Sequence, residues 1–177
     1  MVRVISGLHR GNRLAVPSGN EIRPTTDQTK EWIFNVLGNI TGFNVLDLFA
    51  GTGSLGIEAL SRGAEIATFV EQSGKALDSI RKNIEKLGEG DRTILRKRDS
   101  LKFLAENESE KWDLIFADPP YSYDKTAEIT SAALMALKNG GSFVLEAPAD
   151  RNSESLAQPD REKKFGGSMI YLYGSTN

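Results

Sequence analysis

The sequence predicts an α/β fold: a mostly parallel sheet with helices on both faces, a terminal antiparallel strand and a short N-terminal β-hairpin. Three observations predict it. From Phe43 onward, apolar stretches of strand length alternate with stretches of helical period, the order that yields a parallel sheet with right-handed crossovers. A glycine turn, GTGSLG at 51–56, lies between the first of these strands and the helix after it. Near the end, FGG at 165–167 introduces SMIYLY, the pattern of a closing hairpin.

In chain order, VRVI (2–5) and RLAV (13–16) alternate around a Gly-containing turn and predict the N-terminal hairpin. Pro24 stops any strand, Thr25-x-x-Gln28 reads as a capping box, and Ile33, Phe34 and Leu37 share one face of the helix that follows. FNVLDLF (43–49) is the first sheet strand, LGIEALSRG (55–63) a helix closing on Gly63, and IATFVE (66–71) the second strand. Leu77, Ile80, Ile84 and Leu87 recur at helical spacing, with Gly88 at the expected stop. TILRKR (93–98) is a third strand, followed by a short helix near 100–106, and DLIFA (113–117) a fourth. Residues 125–138 form an alanine-rich helix ended by Asn139-Gly140-Gly141, and SFVLEA (142–147) is the fifth strand. A polar loop at 148–162 is expected to be mobile.

A chain of 177 residues is long enough to bury a substantial core. It has no cysteine, so disulfides and thiolate metal sites are excluded, and one histidine, His9, argues against a His-rich metal centre or a Ser-His-Asp triad. No apolar run reaches membrane-spanning length and the N-terminus lacks a secretory h-region, so a cytoplasmic location is expected. The net charge of −2 argues against indiscriminate nucleic-acid binding and leaves room for local patches. Arg3, Arg10, Arg13 and Arg23 stand against Glu21 alone in the first 24 residues, and a second basic cluster lies at Arg92, Arg96, Lys97 and Arg98.

GTGSLG satisfies G-x-G-x-x-G, and Glu71 stands about 20 residues on, where dinucleotide-binding folds place a ribose-binding acid. The acids separate the cofactor classes. Asp47, Glu71, Asp99 and Asp118 fall at or just beyond the carboxyl ends of four successive strands, on one expected rim. A pyrophosphate there meets repulsion that no Arg or Lys in 47–58 offsets. S-adenosylmethionine has no phosphate and carries net positive charge, so the rim suits it better than NAD. Each acid taken singly also reads as a helix cap or solvated turn residue. With that ligand, Gly51 and Gly53 allow close backbone approach, Glu71 accepts from the ribose hydroxyls and Asp99 from the adenine amine.

Asp118-Pro119-Pro120-Tyr121 directly follows the fourth strand. As bare turn chemistry, two prolines fix φ and remove two donors. Read functionally, the Asp118 carboxylate and the Pro119 carbonyl are adjacent acceptors for both hydrogens of a planar amino group, and Tyr121 can stack on the ring that bears it.

DLFAGTGSLG with DPPY resembles the amino-group methyltransferases. With RVISGLHRGNRLAVP, RPTTDQTKEWIFNVL, FVE (69–71) and FGGSMIYLY, the chain from Val2 to Tyr173 resembles the bacterial 16S ribosomal RNA guanine-N(2)-methyltransferase family, the RsmD-like proteins. The resemblance implies a Rossmann-like seven-stranded sheet, with residues 1–24 a basic hairpin extension and 25–177 the S-adenosylmethionine-dependent domain. It implies methyl transfer to the 2-amino group of a guanine in small-subunit rRNA, without metal, by a monomer acting on an assembled or nearly assembled subunit. By motif, Asp47, Gly51, Gly53, Glu71 and Asp99 match cofactor positions, and Asp118, Pro119 and Tyr121 the acceptor-amine site. Arg23 and Thr25 of RPTT match a segment near the mouth, a helix cap explaining Thr25 nearly as well; Arg3, Arg10 and Arg13 suit phosphate contacts. Gly166-Gly167-Ser168 departs from the family pattern and reads as neutral. DNA adenine as acceptor, a nicotinamide oxidoreductase and an inactive RNA-binding protein stay open as alternatives.

Overall fold

The computed structural model describes residues 2–17, 25–149 and 156–174. Its elements, in chain order, are α1 (Asp27–Leu37), β1 (Asn44–Leu48), α2 (Ser54–Ser61), β2 (Ile66–Glu71), α3 (Gly74–Leu87), β3 (Thr93–Lys97), α4 (Ser100–Glu106), β4 (Trp112–Ala117), α5 (Thr126–Met135), β5 (Leu137–Pro148), β6 (Arg161–Phe165) and β7 (Ser168–Tyr173). The strands form one seven-stranded sheet in the order β3-β2-β1-β4-β5-β7-β6. β3, β2, β1, β4 and β5 are parallel, and β7 runs antiparallel to both its neighbours. The order reverses between β1 and β4, so the crevice beyond their carboxyl ends is the switch point where such sheets bind ligands.

Period-two alternation divides the core. Val45 and Phe69 face a layer that includes Phe34 of α1, Ile57 of α2 and Ile80 of α3; Leu46, Leu48 and Val70 face Phe103 of α4 and Ile129 of α5. Central strands covered on both faces read as nearly unbroken apolar runs. Among the described residues no helix is long and apolar enough to cross a membrane.

Four expectations need correction. The N-terminal hairpin has a single β-bridge, Arg3 to Arg13, because its second arm leaves to dock on α3, where the Ala15 N–H donates to Asn83 Oδ1 (2.6 Å) and Asn83 Nδ2 donates back to the Ala15 carbonyl (3.0 Å). The α1 cap is Thr26 rather than Thr25: the Thr29 N–H donates to Thr26 Oγ1 at 3.1 Å, and Thr25 is buried. The alanine-rich helix stops at Met135, and Asn139-Gly140-Gly141 lies inside β5, where the register against β4 shifts between Trp112 and Leu114. Gly140 has φ +78°, and a Cβ on Gly141 would come within 3.1 Å of the Trp112 and Asp113 carbonyls. These glycines serve a bulge. The expected loop at 148–162 loses both ends to β5 and β6, and residues 150–155 lie outside the described residues.

Candidate active site

β1 and β4 are neighbours with Leu48 opposite Ala117, so the turn after β1 and the Asp118-Pro119-Pro120-Tyr121 turn leave the sheet side by side, about 5 Å apart. The chain turns sharply at the first exit. Phe49 has φ +56°, the one non-glycine residue in the left-handed region among those described, and Gly51 and Gly53 follow at +55° and +73°. A non-glycine residue held there marks strain, which concentrates at functional sites. At Gly53 the fold itself also asks for glycine: at φ +73° a Cβ would meet Ile80 and Ile57 at 3.2–3.3 Å.

Glu71 ends β2 beside this turn. Its Oε2 accepts the Gly51 N–H at 2.9 Å and its Oε1 the Ser73 N–H at 2.8 Å, so one carboxylate holds both the glycine turn and the entry to α3. Each carboxylate oxygen has capacity for a further hydrogen bond.

Asp47 departs from the expected rim position. It shares the parity of Val45, points under α2, is 3 % exposed and accepts the Gly56 N–H at 2.9 Å through Oδ2. A Cβ at Gly56 would overlap the Phe69 ring, so a glycine there lets helix and strand close on this carboxyl. Burial, with a smaller contribution from the Glu71 charge and against the Gly56 hydrogen bond, pushes the Asp47 carboxyl up to about 8. In the unfolded chain it ionises near 3.8. From about pH 4 to about pH 8 the folded state therefore binds the extra proton, and this residue's contribution to stability falls as pH rises, by up to about 1.4 kcal/mol per pH unit. Asp47→Asn keeps an oxygen for Gly56 and removes that fall. In urea unfolding at pH 5 and pH 8, the variant should gain on the wild type at the higher pH; a constant difference would show that Asp47 is ionised in the folded protein.

Asp99 follows β3 as expected and is also the N-cap of α4, accepting the Lys102 N–H through Oδ1 (3.0 Å) and the Gln72 amide through Oδ2 (2.7 Å). Gln72, Lys97, Arg98, Asp99 and Lys102 line an open cleft of about 280 Å³. With Asp47 withdrawn and cations beside Asp99, the rim is less acidic than four strand-end carboxylates imply.

Across the crevice Asp118 is half-buried, Pro119 buried and Tyr121 47 % exposed. The Tyr121 hydroxyl hydrogen-bonds Ser168 Oγ at 3.0 Å, and Ser168, first residue of β7, is buried. Ser168 is thus no neutral departure: it fixes the tyrosine. The sequence reading missed two aromatic residues that join the loops. Tyr123 packs edge-on against Phe49, ring centroids 4.9 Å apart, and its N–H donates to the Pro120 carbonyl at 2.8 Å. Its hydroxyl is buried and has no hydrogen-bond partner among the described residues, and burial, aided by Asp99, Glu128 and Asp124, pushes it up to about 12. The only sequence signal was an aromatic two positions after Tyr121.

The basic N-terminal residues are spread along the segment that lies against α2 and α3. Gly7, Leu8 and His9 sit on Ser61, at the far end of α2 from the glycine turn; the Leu8 N–H donates to the Ser61 carbonyl at 2.8 Å and the His9 N–H to its hydroxyl at 2.9 Å. Arg10 belongs to that tip, its N–H donating to the Gly7 carbonyl at 3.2 Å, one helix length of about 12 Å from the glycine turn. Arg3 is paired with Asp27 at 2.7 Å, Arg13 is exposed on the bridge, and Arg23 lies outside the described residues.

The family model described as conserved hypothetical protein 95 matches residues 2–174. The putative rRNA methyltransferase YlbH of Bacillus subtilis is 42% identical over 127 residues, 70% of this chain and 69% of that protein. Ribosomal RNA small subunit methyltransferase D of Haemophilus influenzae is 37% identical over 133 residues, 73% of this chain and 69% of its own. The solved structure of putative methyltransferase yhhF from Escherichia coli superposes with a TM-score of 0.85 at 31% identity, covering 98% of this chain and 97% of that one.

Proposed function

For a chain that belongs to the conserved hypothetical protein 95 family, we propose methyl transfer from S-adenosylmethionine to small-subunit ribosomal RNA, at the 2-amino group of a guanine. The observation that carries this reading is the pairing of Leu48 with Ala117, which sets a glycine turn held by Glu71 beside an Asp-Pro-Pro-Tyr turn. Relatives named as rRNA methyltransferases support the acceptor class.

The residues present suit the cofactor. Glu71 keeps lone pairs for a ribose diol, and Asp99 stands at the next strand end, where it lines an open cleft with Gln72 and Lys102. When bound, S-adenosylmethionine supplies an electrophilic methyl group on sulfur. The chain's part is positional: holding two reactants in line is worth roughly 7–11 kcal/mol of barrier. Asp118 and the Pro119 carbonyl accept from the amino group and favour the positive charge that grows on its nitrogen; Asp118 or water takes the proton afterwards. Tyr121, braced by Ser168, offers a ring face for the base, which must leave its stack to reach the crevice. Residues 1–24 form a basic extension to the methyltransferase domain at 25–177. The enzyme works as a cytoplasmic monomer on an assembled or nearly assembled subunit.

Calorimetric titration tests the cofactor assignment: S-adenosylhomocysteine should bind and NADH should not, and the reverse would turn the reading toward a nicotinamide enzyme. Glu71→Ala should weaken S-adenosylhomocysteine binding about 10- to 100-fold, the loss of a charge-assisted hydrogen-bond pair at about 1.5–3 kcal/mol. Unchanged affinity would remove Glu71 from the site.

A further inference from the structure

Building on that reading, we propose that β6 and the adjoining side of α1 form the surface on which the RNA strand flanking the target base docks. Phosphates would sit on Arg161, Lys163 and Lys164, and an unstacked base would sit near Trp32 and Phe165.

Among the described residues β6 is the outermost strand of the sheet and pairs only with β7. Its sequence REKKF carries three cations against one acid, and Arg161 to Lys164 are all exposed. Lysines on an edge strand also deter edge-to-edge pairing, so exposure alone would mean little. Here the lysine is organised with aromatic rings. Lys163 Nζ lies 5.8 Å from the centroid of the Trp32 ring on α1 and 5.2 Å from that of Phe165, and the two rings are 5.8 Å apart at 58°. Both rings are half-buried. A cation interleaved with partly exposed aromatic rings is the composition with which proteins hold single-stranded nucleic acid. Strand alternation puts Arg161, Lys163 and Phe165 on the α1 side and Glu162 and Lys164 on the other; the Glu162 charge acts on Tyr173, and Lys164 would meet the RNA backbone from across the open strand edge.

The surface is continuous with the crevice. Phe165 is the register partner of Ser168, and Ser168 bonds the Tyr121 hydroxyl. A strand with its target base against Tyr121 can thus run along β6, about 17 Å long, without leaving the protein. The N-terminal arginines offer less: Arg10 lies at the far end of α2 and Arg3 is engaged by Asp27.

The experiment is filter binding of 16S ribosomal RNA between 50 and 200 mM salt, using the full chain and the triple variant Arg161→Ala/Lys163→Ala/Lys164→Ala. Thermal unfolding, S-adenosylhomocysteine titration and sedimentation are run on both proteins. The triple variant should keep its melting temperature and S-adenosylhomocysteine affinity, lose at least about tenfold in RNA affinity, and show a salt slope shallower by about 2, as for three phosphate contacts on a single strand. Lys163→Arg should keep the wild-type slope. Equal affinity and slope for wild type and triple variant would overturn this surface and leave the proposed function standing. A wild type that binds S-adenosylhomocysteine but neither 16S RNA nor, in the same filter assay, small ribosomal subunits would overturn both. A wild-type dimer that the triple variant dissolves would assign β6 to self-association instead.

Discussion

Replacing Asp118 by alanine is expected to lower turnover roughly 10²- to 10³-fold, the range seen when one preorganised polar group facing the developing charge is removed. S-adenosylhomocysteine affinity should stay within about twofold, because the groups proposed to hold the cofactor leave other strands: Glu71 ends β2 and Asp99 follows β3. Asp118 follows β4, on the opposite side of the switch point from Glu71. Asp118→Asn separates charge from hydrogen bonding. It keeps an acceptor oxygen and should retain more activity than alanine if acceptance, rather than proton removal, is the larger contribution. Single-turnover rates with titrated cofactor make the comparison clean. Matching losses of turnover and cofactor binding in the alanine variant would show that Asp118 supports the cofactor or the fold.

Glu58→Ala should be the most destabilising of these substitutions, by about 3–5 kcal/mol, the cost of breaking a buried ion pair from one side. Glu58 is fully buried on α2 and accepts from the Ile5 N–H (2.8 Å), the Ser6 N–H (3.0 Å) and Arg62 Nε (2.8 Å). Lys30, fully buried as well, has its Nζ 3.9 Å from Glu58 and donates to the Arg3 carbonyl. Burial lowers the Lys30 pKa, against the pull of Glu58 and Asp27. Without Glu58, a buried cation loses its counter-charge and two backbone N–H groups lose their acceptor. The N-terminal segment, which lies against α2 with Gly7 too close to Ser61 for any Cβ, should then open first. Denaturant unfolding gives the magnitude, and limited proteolysis should show early cleavage within 2–17. A loss under about 1 kcal/mol, with the segment still protected, would mean that its apolar contacts alone hold it.

The sheet was legible because its strands and helices carry separate periodicities and glycines mark the turns: β2, with every residue from Ile66 to Glu71 assigned, and α3, closing on Gly88, needed nothing else. The β5 bulge was not, because Asn-Gly-Gly after an alanine-rich helix has the composition of a helix stop, and only the β4 register shows otherwise. At the site, strand ends located Glu71, Asp99 and Asp118, but the same rule misplaced Asp47. Its depth depends on the helix that folds over it, and the period-two parity with Val45 was the available clue. Glu58 in GIEAL looks like any polar position on a helix. Its importance comes from chain 52 and 53 residues away, beyond any local pattern. Ser168 and Tyr123 were unreadable for the same reason: one reaches Tyr121 across 47 positions and the other reaches Phe49 through space.

The most direct measurement supplies S-adenosylmethionine tritiated in its methyl group, together with small ribosomal subunits from cells lacking this protein. Stripped 16S RNA and duplex DNA run in parallel, and the products are digested to nucleosides. Label on the ribosomal RNA, recovered as 2-methylguanosine, is the predicted result and establishes acceptor, atom and cofactor together. Label on DNA, or none anywhere despite tight S-adenosylhomocysteine binding, would contradict the ribosomal assignment while leaving the cofactor site in place.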